Sequence, residues 1–129
     1  MITGVHTLLY STDPTATRAF LKDVLGWPCV SEGPTDEPSE WLIFRTGPSE
    51  MGVHPATGPQ GETWAEPGRH EVTLMCDDLA ATMAELGARG ARFEGEPETL
   101  DFGVTVRMAV PGAGAIMLYE PRHPTAYDL

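Results

Sequence analysis

The stretch VHTLLYSTD at residues 5–13 recurs later in the chain as a second stretch of the same pattern, EVTLMCDD at residues 71–78. In both stretches a polar side chain opens an apolar run that predicts a β-strand, and an aspartate then supplies the N-cap of a helix. An amphipathic helix follows each aspartate and stops at a glycine, Gly26 or Gly90. A repeat about half the chain long predicts two copies of one supersecondary unit, neither of which buries its apolar face alone.

The first copy, or first module, covers about residues 1–55. Asp13 followed by Pro14 is a strong start signal for a helix, because the aspartate accepts from free backbone N–H groups and proline fits the first helical position. The elements predicted for this module are a strand over 3–11, a helix from Asp13 to Gly26, and strands around 28–31, 41–46 and 50–54.

The second module covers about residues 70–121, after a linker over 56–69 that is rich in glycine and proline. Its predicted elements are a strand over 71–76, a helix capped by Asp77 or Asp78, a strand around 91–94, a loop over 95–101, and strands over 102–110 and 115–120. Residues 122–129, including His123, form a tail. Both modules therefore have the order βαβββ, which predicts one α+β domain over residues 1–129.

Composition narrows the classes of function. The 129 residues carry a net charge of -11, which argues against binding nucleic acid or an anionic membrane surface. No run approaches the roughly 18 apolar residues of a membrane span, and no leader is apparent, so a cytoplasmic location is expected. The two cysteines, Cys29 and Cys76, are expected to be free thiols.

The motifs resemble those of the vicinal oxygen chelate superfamily, which includes glyoxalase I, the bleomycin-resistance proteins and extradiol dioxygenases. The resemblance is carried by residues 6–13, the helix end from Phe20 to Pro28, residues 71–79, and the closing LYEP at 118–121. It implies two βαβββ modules whose curled, incompletely closed mixed sheet surrounds a cavity. Members of this family often form homodimers, so a homodimer is expected.

The resemblance also implies positions for metal ligands, one on the first strand and one on the fourth strand of each module. His6 and Glu71 fall at the first-strand positions. Met51 and Met117 fall at the fourth-strand positions, where the family typically has glutamate. A thioether is a poor ligand for Mg, Mn, Fe or Ni, so the metal site is interpreted as degenerate. The cofactor is expected to be none, or one divalent metal among Ni, Mn, Zn and Fe(II).

Neighbouring side chains are alternative candidates. Glu50 adjoins Met51, and a β-bulge would turn it inward; His54 lies at the end of the same predicted strand. Glu71, if it lies in a cavity without metal, is a candidate general base, and Glu120 is a second catalytic candidate. The residues expected to line the ligand pocket are His6, Leu8, Met51, Thr73, Met117 and Trp64. For Trp64 the favoured interpretation is an anchor on the core, and the alternative is a lid over a cavity.

Three hypotheses for function follow. The first is a protein that binds a small organic molecule in the cavity between modules without metal chemistry, as in the bleomycin-resistance branch. The second is a metal-dependent lyase, isomerase or dioxygenase in which the metal acts as a Lewis acid on two neighbouring substrate oxygens. The third is a non-catalytic dimeric interaction module. The fold alone does not distinguish among these three hypotheses, because one fold can host many unrelated functions.

Overall fold

The computed structural model describes residues 1, 4, 6–127 and 129, and it has two helices and six strands in that part of the chain. In chain order they are α1 (Pro14–Ala19, continued by a π-helical segment over Phe20–Val24), β1 (Cys29–Ser31), β2 (Leu42–Phe44), β3 (Thr73–Met75), α2 (Leu79–Ala88), β4 (Phe93–Leu100), β5 (Gly103–Ala109) and β6 (Ala115–Pro121). The predicted α+β class is confirmed.

Helix α1 begins where the sequence predicts it. Asp13 is the N-cap, and its Oδ1 accepts from the Ala16 N–H at 3.0 Å, while Pro14 occupies the first turn. The helix widens into its π-helical segment and ends at Gly26, whose φ of 68° lies in the left-handed region that glycine adopts without strain. Phe20 lies on the inward face and is buried.

The second module has the predicted βαβββ order. Its four strands form a mixed sheet in the order β3-β6-β5-β4, with β3 parallel to β6 and the other pairs antiparallel. Asp78, rather than Asp77, caps α2 by accepting from the Ala81 N–H at 2.9 Å. The β1 and β2 strands of the first module pair with each other in a separate two-stranded sheet.

The core lies between α2, α1 and one face of the four-stranded sheet. Alternate side chains of β5 and β6 enter it, and Met108 is fully buried. The buried core residues are Phe20, Leu79, Leu86, Ala91, Val106, Met108, Val110, Ile116 and Leu118. Phe20 is the contribution of the first module, so the two modules share this core.

Polar contacts also join α1 to the second module. The Thr12 N–H donates to the Gly112 carbonyl at 2.8 Å, and the buried Thr17 hydroxyl donates to the Pro111 carbonyl. The Arg89 guanidinium donates to the Val24 carbonyl at 3.1 Å at the far end of the helix. The first module is therefore held by its helix, on the side of the sheet that also carries α2.

Three sequence predictions about strands are wrong. Residues 6–11 and 50–54 are outside any strand, because a β-strand needs a neighbouring strand and no partner reaches these segments within the described chain. The other predicted residues of the first strand are Gly4, which is also outside a strand, and positions 3 and 5, which lie outside the described residues. The predicted loop over 95–101 is instead mostly strand, since β4 runs through Gly95 and Pro97 with a register shift between Glu94 and Glu98.

Both cysteines are free, as expected. Among the residues that the structure describes, none of the helices combines the length and the apolar character that a membrane crossing requires.

Candidate functional site

One face of the four-stranded sheet packs on the core, and the opposite face, here called the open face, carries the candidate site. The strand register identifies its side chains, because directly paired residues project on the same side of a sheet. Thr73 pairs with Met117, and Met75 pairs with Tyr119. Across the next ladder, Arg107 pairs with Met117 and Thr105 pairs with Tyr119. The residues between them on β3, β5 and β6 pack against the core.

On the open face, the apolar side chains of Met75 and Met117 lie on β3 and β6, and charged side chains lie on the β4 side. Met75 and Met117 are half-buried. Arg107 lies beside Glu94, with 3.6 Å between Nε and Oε2, and also donates to the Ala115 carbonyl at 3.0 Å. Two of the residues predicted to line a pocket, Thr73 and Met117, are therefore cross-strand neighbours on this face.

A cluster of three polar side chains closes one end of the open face. The Tyr119 hydroxyl lies 3.1 Å from His123 Nε2, and Glu50 Oε1 lies 3.8 Å from the same nitrogen. Glu50 Oε2 accepts from the Ala126 N–H at 2.7 Å, which ties the carboxylate to the tail. The tail thus folds back over β6, and Glu50 from the first module holds it there.

The hydrogen bonds of His123 define the roles of its two nitrogens. Nδ1 lies 2.8 Å from the Pro124 carbonyl oxygen. A carbonyl oxygen only accepts, so Nδ1 carries a proton, and in the Nδ1–H tautomer Nε2 is the nitrogen that accepts. The Tyr119 hydroxyl therefore donates to Nε2. The Nε2 lone pair is thus engaged by Tyr119, and the Glu50 carboxylate lies 3.8 Å from the same nitrogen.

Tyr119 is packed as well as hydrogen-bonded. Only 8% of the residue is exposed, and the Phe102 ring meets its ring edge-on at a centroid distance of 5.5 Å. Burial raises the pKa of the Tyr119 phenol, and the nearby Glu50 carboxylate and Tyr127 raise it further. The phenol is consequently neutral at physiological pH and acts as a hydrogen-bond donor.

The two first-strand candidates lie at the surface. His6 and Leu8 are exposed, and neither lies in a strand. Glu71 precedes β3 and pairs with Arg69, with 3.3 Å between Oε2 and Nη2, and both side chains are more than half exposed. The roles of these residues as ligands or pocket residues stay predictions.

The candidates at the end of the first module and in the linker belong to no strand of the four-stranded sheet. Met51 is 72% exposed. The His54 ring contacts the Trp64 ring at a centroid distance of 5.5 Å, and its Nδ1 lies 2.8 Å from the Pro55 carbonyl oxygen. Trp64 is 48% exposed and lies outside the core, so the favoured interpretation of an anchor on the core is wrong.

Glu120 is engaged on the other side of the sheet. Its Oε2 accepts from the Leu79 N–H at 3.0 Å, at the first turn of α2. A carboxylate at this position satisfies a backbone donor that the helix itself leaves free, and it interacts favourably with the positive end of the helix dipole. The side chain is thus directed toward the helix layer and away from the open face.

The residues implied as metal ligands do not fit a common site. Two of the four positions are thioethers, which are poor ligands for the metals considered, and Glu71 is paired with a guanidinium. Over residues 1, 4, 6–127 and 129, no group of three His, Cys, Asp or Glu side chains is placed to hold a metal ion.

Two concave regions lie elsewhere on the surface. One, of about 380 Å³, is lined by Phe20, Arg92 and Val110 among others, and the second, of about 360 Å³, lies along β1 and β2 beside Cys29 and Phe44. Neither is lined by a predicted site residue.

Sequence reasoning missed Tyr119 and His123. Tyr119 precedes Glu120 in the closing LYEP motif, in which the glutamate is the predicted site residue. His123 lies in a segment without periodicity. The available signal was the alternation along β6, which places Tyr119 on the same face as Met117. No local pattern indicates that the tail folds back to bring His123 to that face.

Comparison with known proteins identifies the relatives of this chain. The family described as Glyoxalase/Bleomycin resistance protein/Dioxygenase superfamily matches residues 4–121. No curated protein shows significant similarity to the chain.

Solved structures share the fold at low sequence identity. An antibiotic binding protein, TnmS3 from Streptomyces sp. CB03234, aligns with a TM-score of 0.61 and 19% identity, covering 93% of this chain and 97% of that one. Lactoylglutathione lyase from Agrobacterium tumefaciens aligns with a TM-score of 0.58 and 21% identity, covering 92% of each chain. The match over nearly the whole sequence shows that this chain belongs to the Glyoxalase/Bleomycin resistance protein/Dioxygenase superfamily.

Proposed function

We propose that this protein binds a small organic molecule on the open face of its four-stranded sheet. The main support is the pair of half-buried methionines, Met75 and Met117, which lie on the face of the sheet opposite the core. Methionine is unbranched and polarizable, so it adapts to apolar ligands of varied shape and makes favourable contacts with aromatic rings.

Polar groups surround these methionines and would orient a ligand. Thr73 and Arg107 share the face with them, whereas Thr105 on the same face is buried and donates its hydroxyl to the Glu98 carbonyl. An apolar patch with a few fixed polar groups is the usual composition of a small-molecule site. TnmS3, which has the same fold, is described as an antibiotic binding protein, and this is compatible with an organic ligand here.

A second copy of the chain would complete the site, and we include a homodimer in the proposal. The segments over 6–10 and 50–54 lie outside strands, although their side chains include exposed apolar groups; Leu8, Tyr10 and Val53 are 55%, 86% and 96% exposed. Strand β3 is at the edge of its sheet, and its outer side is open to a further strand. Pairing between copies would bury these groups and add a wall to the open face.

The test uses methyl NMR of methionine-labelled protein titrated with a neutral and a cationic planar aromatic dye. We expect the Met75 and Met117 methyl signals to shift with the dye, while that of fully buried Met108 shifts little. Replacing Met117 with glutamine should weaken binding about tenfold, the equivalent of about 1.4 kcal/mol, since most of the apolar contact of one side chain is lost.

Val30→Thr is the matched control, because Val30 is an exposed apolar residue in the separate sheet. It should leave the dye affinity unchanged. Binding that leaves the Met75 and Met117 signals in place, or that is equally weakened by both substitutions, would rule out the open face as the site.

A further inference from the structure

The open face is unevenly covered from one row of side chains to the next. The row formed by Thr73, Met117 and Arg107 is accessible, since its two outer residues are exposed and Met117 is half-buried. In the next row Tyr119 is only 8% exposed and Thr105 only 5%, although this face lies opposite the core. The Tyr119 end of the open face is therefore covered.

Residues 123–127 of the tail, here called the strap, supply part of this cover. The His123 ring lies against the Tyr119 ring at a centroid distance of 6.0 Å and accepts from its hydroxyl at 3.1 Å. At the other end of the strap, the Ala126 N–H donates to Glu50 at 2.7 Å. The strap is thus held over Tyr119 at two points, one on β6 and one on the first module.

These attachments are polar and local, so the strap can open while the fold stays intact. Every residue of the strap is exposed or half-buried, and none belongs to the hydrophobic core. The chain just before it is tied to the sheet, because the Arg122 N–H donates to the Phe102 carbonyl at 2.8 Å. Segments with few buried apolar contacts open at much lower free energy than the whole domain. Opening would break the contacts of His123 and Ala126 and leave β6 in place.

We propose that the strap is an autoinhibitory cover of the small-molecule site, which a planar aromatic ligand displaces in order to reach Tyr119. The inference rests on the function proposed above for the open face. Displacement of the strap exposes an aromatic ring and a hydroxyl donor two residues along β6 from Met117, and both groups suit a planar aromatic molecule with a hydrogen-bond acceptor. Because only the open form binds, the apparent affinity falls in proportion to the open fraction.

The test compares hydrogen exchange of the Ala126 N–H, followed by NMR, with the affinity for a neutral planar aromatic dye. Tyr119→Phe removes the hydroxyl that donates to His123 and should raise the open fraction about five- to tenfold, which is the usual effect of one hydrogen bond. We expect the Ala126 exchange rate and the dye affinity of this variant to rise by the same factor. In the unaltered chain, saturating dye should speed exchange of the Ala126 N–H, since the dye and the closed strap exclude each other.

Glu50→Ala is an independent variant, because it removes the acceptor of the Ala126 N–H and leaves Tyr119 intact. It should raise the dye affinity to a similar extent. Glu50→Gln keeps an acceptor and should raise it clearly less. Glu37→Ala removes an exposed carboxylate from the loop before β2 and is the matched control, which should bind the dye as the unaltered chain does. Thermal unfolding confirms that each variant is folded.

Unchanged dye affinity in either Tyr119→Phe or Glu50→Ala would overturn the proposal. Slower exchange of the Ala126 N–H in the presence of dye would also overturn it, because the strap would then close over the ligand. A dye that binds no variant and shifts neither the Met75 nor the Met117 methyl signal would refute the small-molecule function itself. The methyl signals thereby distinguish failure of the strap from failure of the site.

Discussion

At the scale of single residues, the structure gives Glu120 a role in joining two elements. Its carboxylate accepts from the Leu79 N–H, while Asp78 caps the same helix by accepting from the Ala81 N–H. The end of β6 and the start of α2 are thereby tied together through a half-buried hydrogen bond. The glutamate of the closing LYEP motif accordingly has a structural partner on the helix side of the sheet.

We predict that Glu120→Ala lowers the free energy of unfolding by about 1–2 kcal/mol, because a half-buried N–H loses its acceptor and the helix terminus loses a negative charge. Glu120→Gln keeps an acceptor and should cost about half as much. Urea denaturation measures both effects. Glu96→Ala removes an exposed carboxylate from β4 and should change stability by less than about 0.5 kcal/mol. Equal losses for Glu120→Ala and Glu120→Gln would contradict the importance of the acceptor.

Single residues also show which neighbours a sequence can predict. Thr73 and Met117 are expected to line one ligand pocket, Met117 through its family position, and the strand register pairs them directly. Alternation along a strand is a local property, so the sequence contains it. His123 has no such periodic signal, because its position depends on a tail that folds back onto Tyr119.

At the scale of elements, helix α1 connects the first module to the core of the second. Phe20 is 6% exposed and packs in the same cluster as Leu79, Leu86 and Val110. The amphipathic pattern predicts which face of α1 is apolar, although it does not predict against which element that face packs.

We predict that Phe20→Ala destabilises the protein by about 3–5 kcal/mol, since it leaves a cavity in a core shared by both modules. Phe102→Ala is the matched control, because the Phe102 ring is 40% exposed and its loss should cost clearly less. Denaturant unfolding monitored by circular dichroism gives both values. A cost for Phe20→Ala below about 1 kcal/mol would show that α1 contributes little to the core.

Strand β4 illustrates the limit of turn signals. Gly95 and Pro97 predict a loop, but β4 runs through both and carries a register shift between Glu94 and Glu98. The strand is at the edge of its sheet, where an irregular ladder and a proline are tolerated because one side of the backbone has no partner. A sequence pattern does not reveal whether a strand is central or at an edge.

At the scale of the whole molecule, two apolar segments of the described chain lie outside strands and expose apolar side chains to solvent. The segments over 6–10 and 50–54 have the alternation of strands, and the structure leaves their side chains largely exposed. Exposed apolar groups and an open sheet edge are each typical of a surface that another chain covers.

We predict that the protein is a homodimer at micromolar concentration, with a mass twice the 13.9 kDa of one chain. Light scattering coupled to size exclusion measures this mass. Leu8→Asp and Val53→Asp should shift the population toward the monomer, because a charge would be buried in an apolar interface. Val30→Asp, in the separate two-stranded sheet, should leave the mass unchanged. A monomeric mass for the unaltered chain would refute the prediction.

The amino-acid sequence by itself determined the α+β class, the helix cap at Asp13, and the βαβββ order of the second module. All of these depend on short-range periodicity and on backbone groups satisfied within a few residues. Only the tertiary structure decided that α1 packs on the second module and that Glu50, Tyr119 and His123 meet at one end of the open face. Contacts between residues far apart in the chain depend on packing, and no local pattern contains that information.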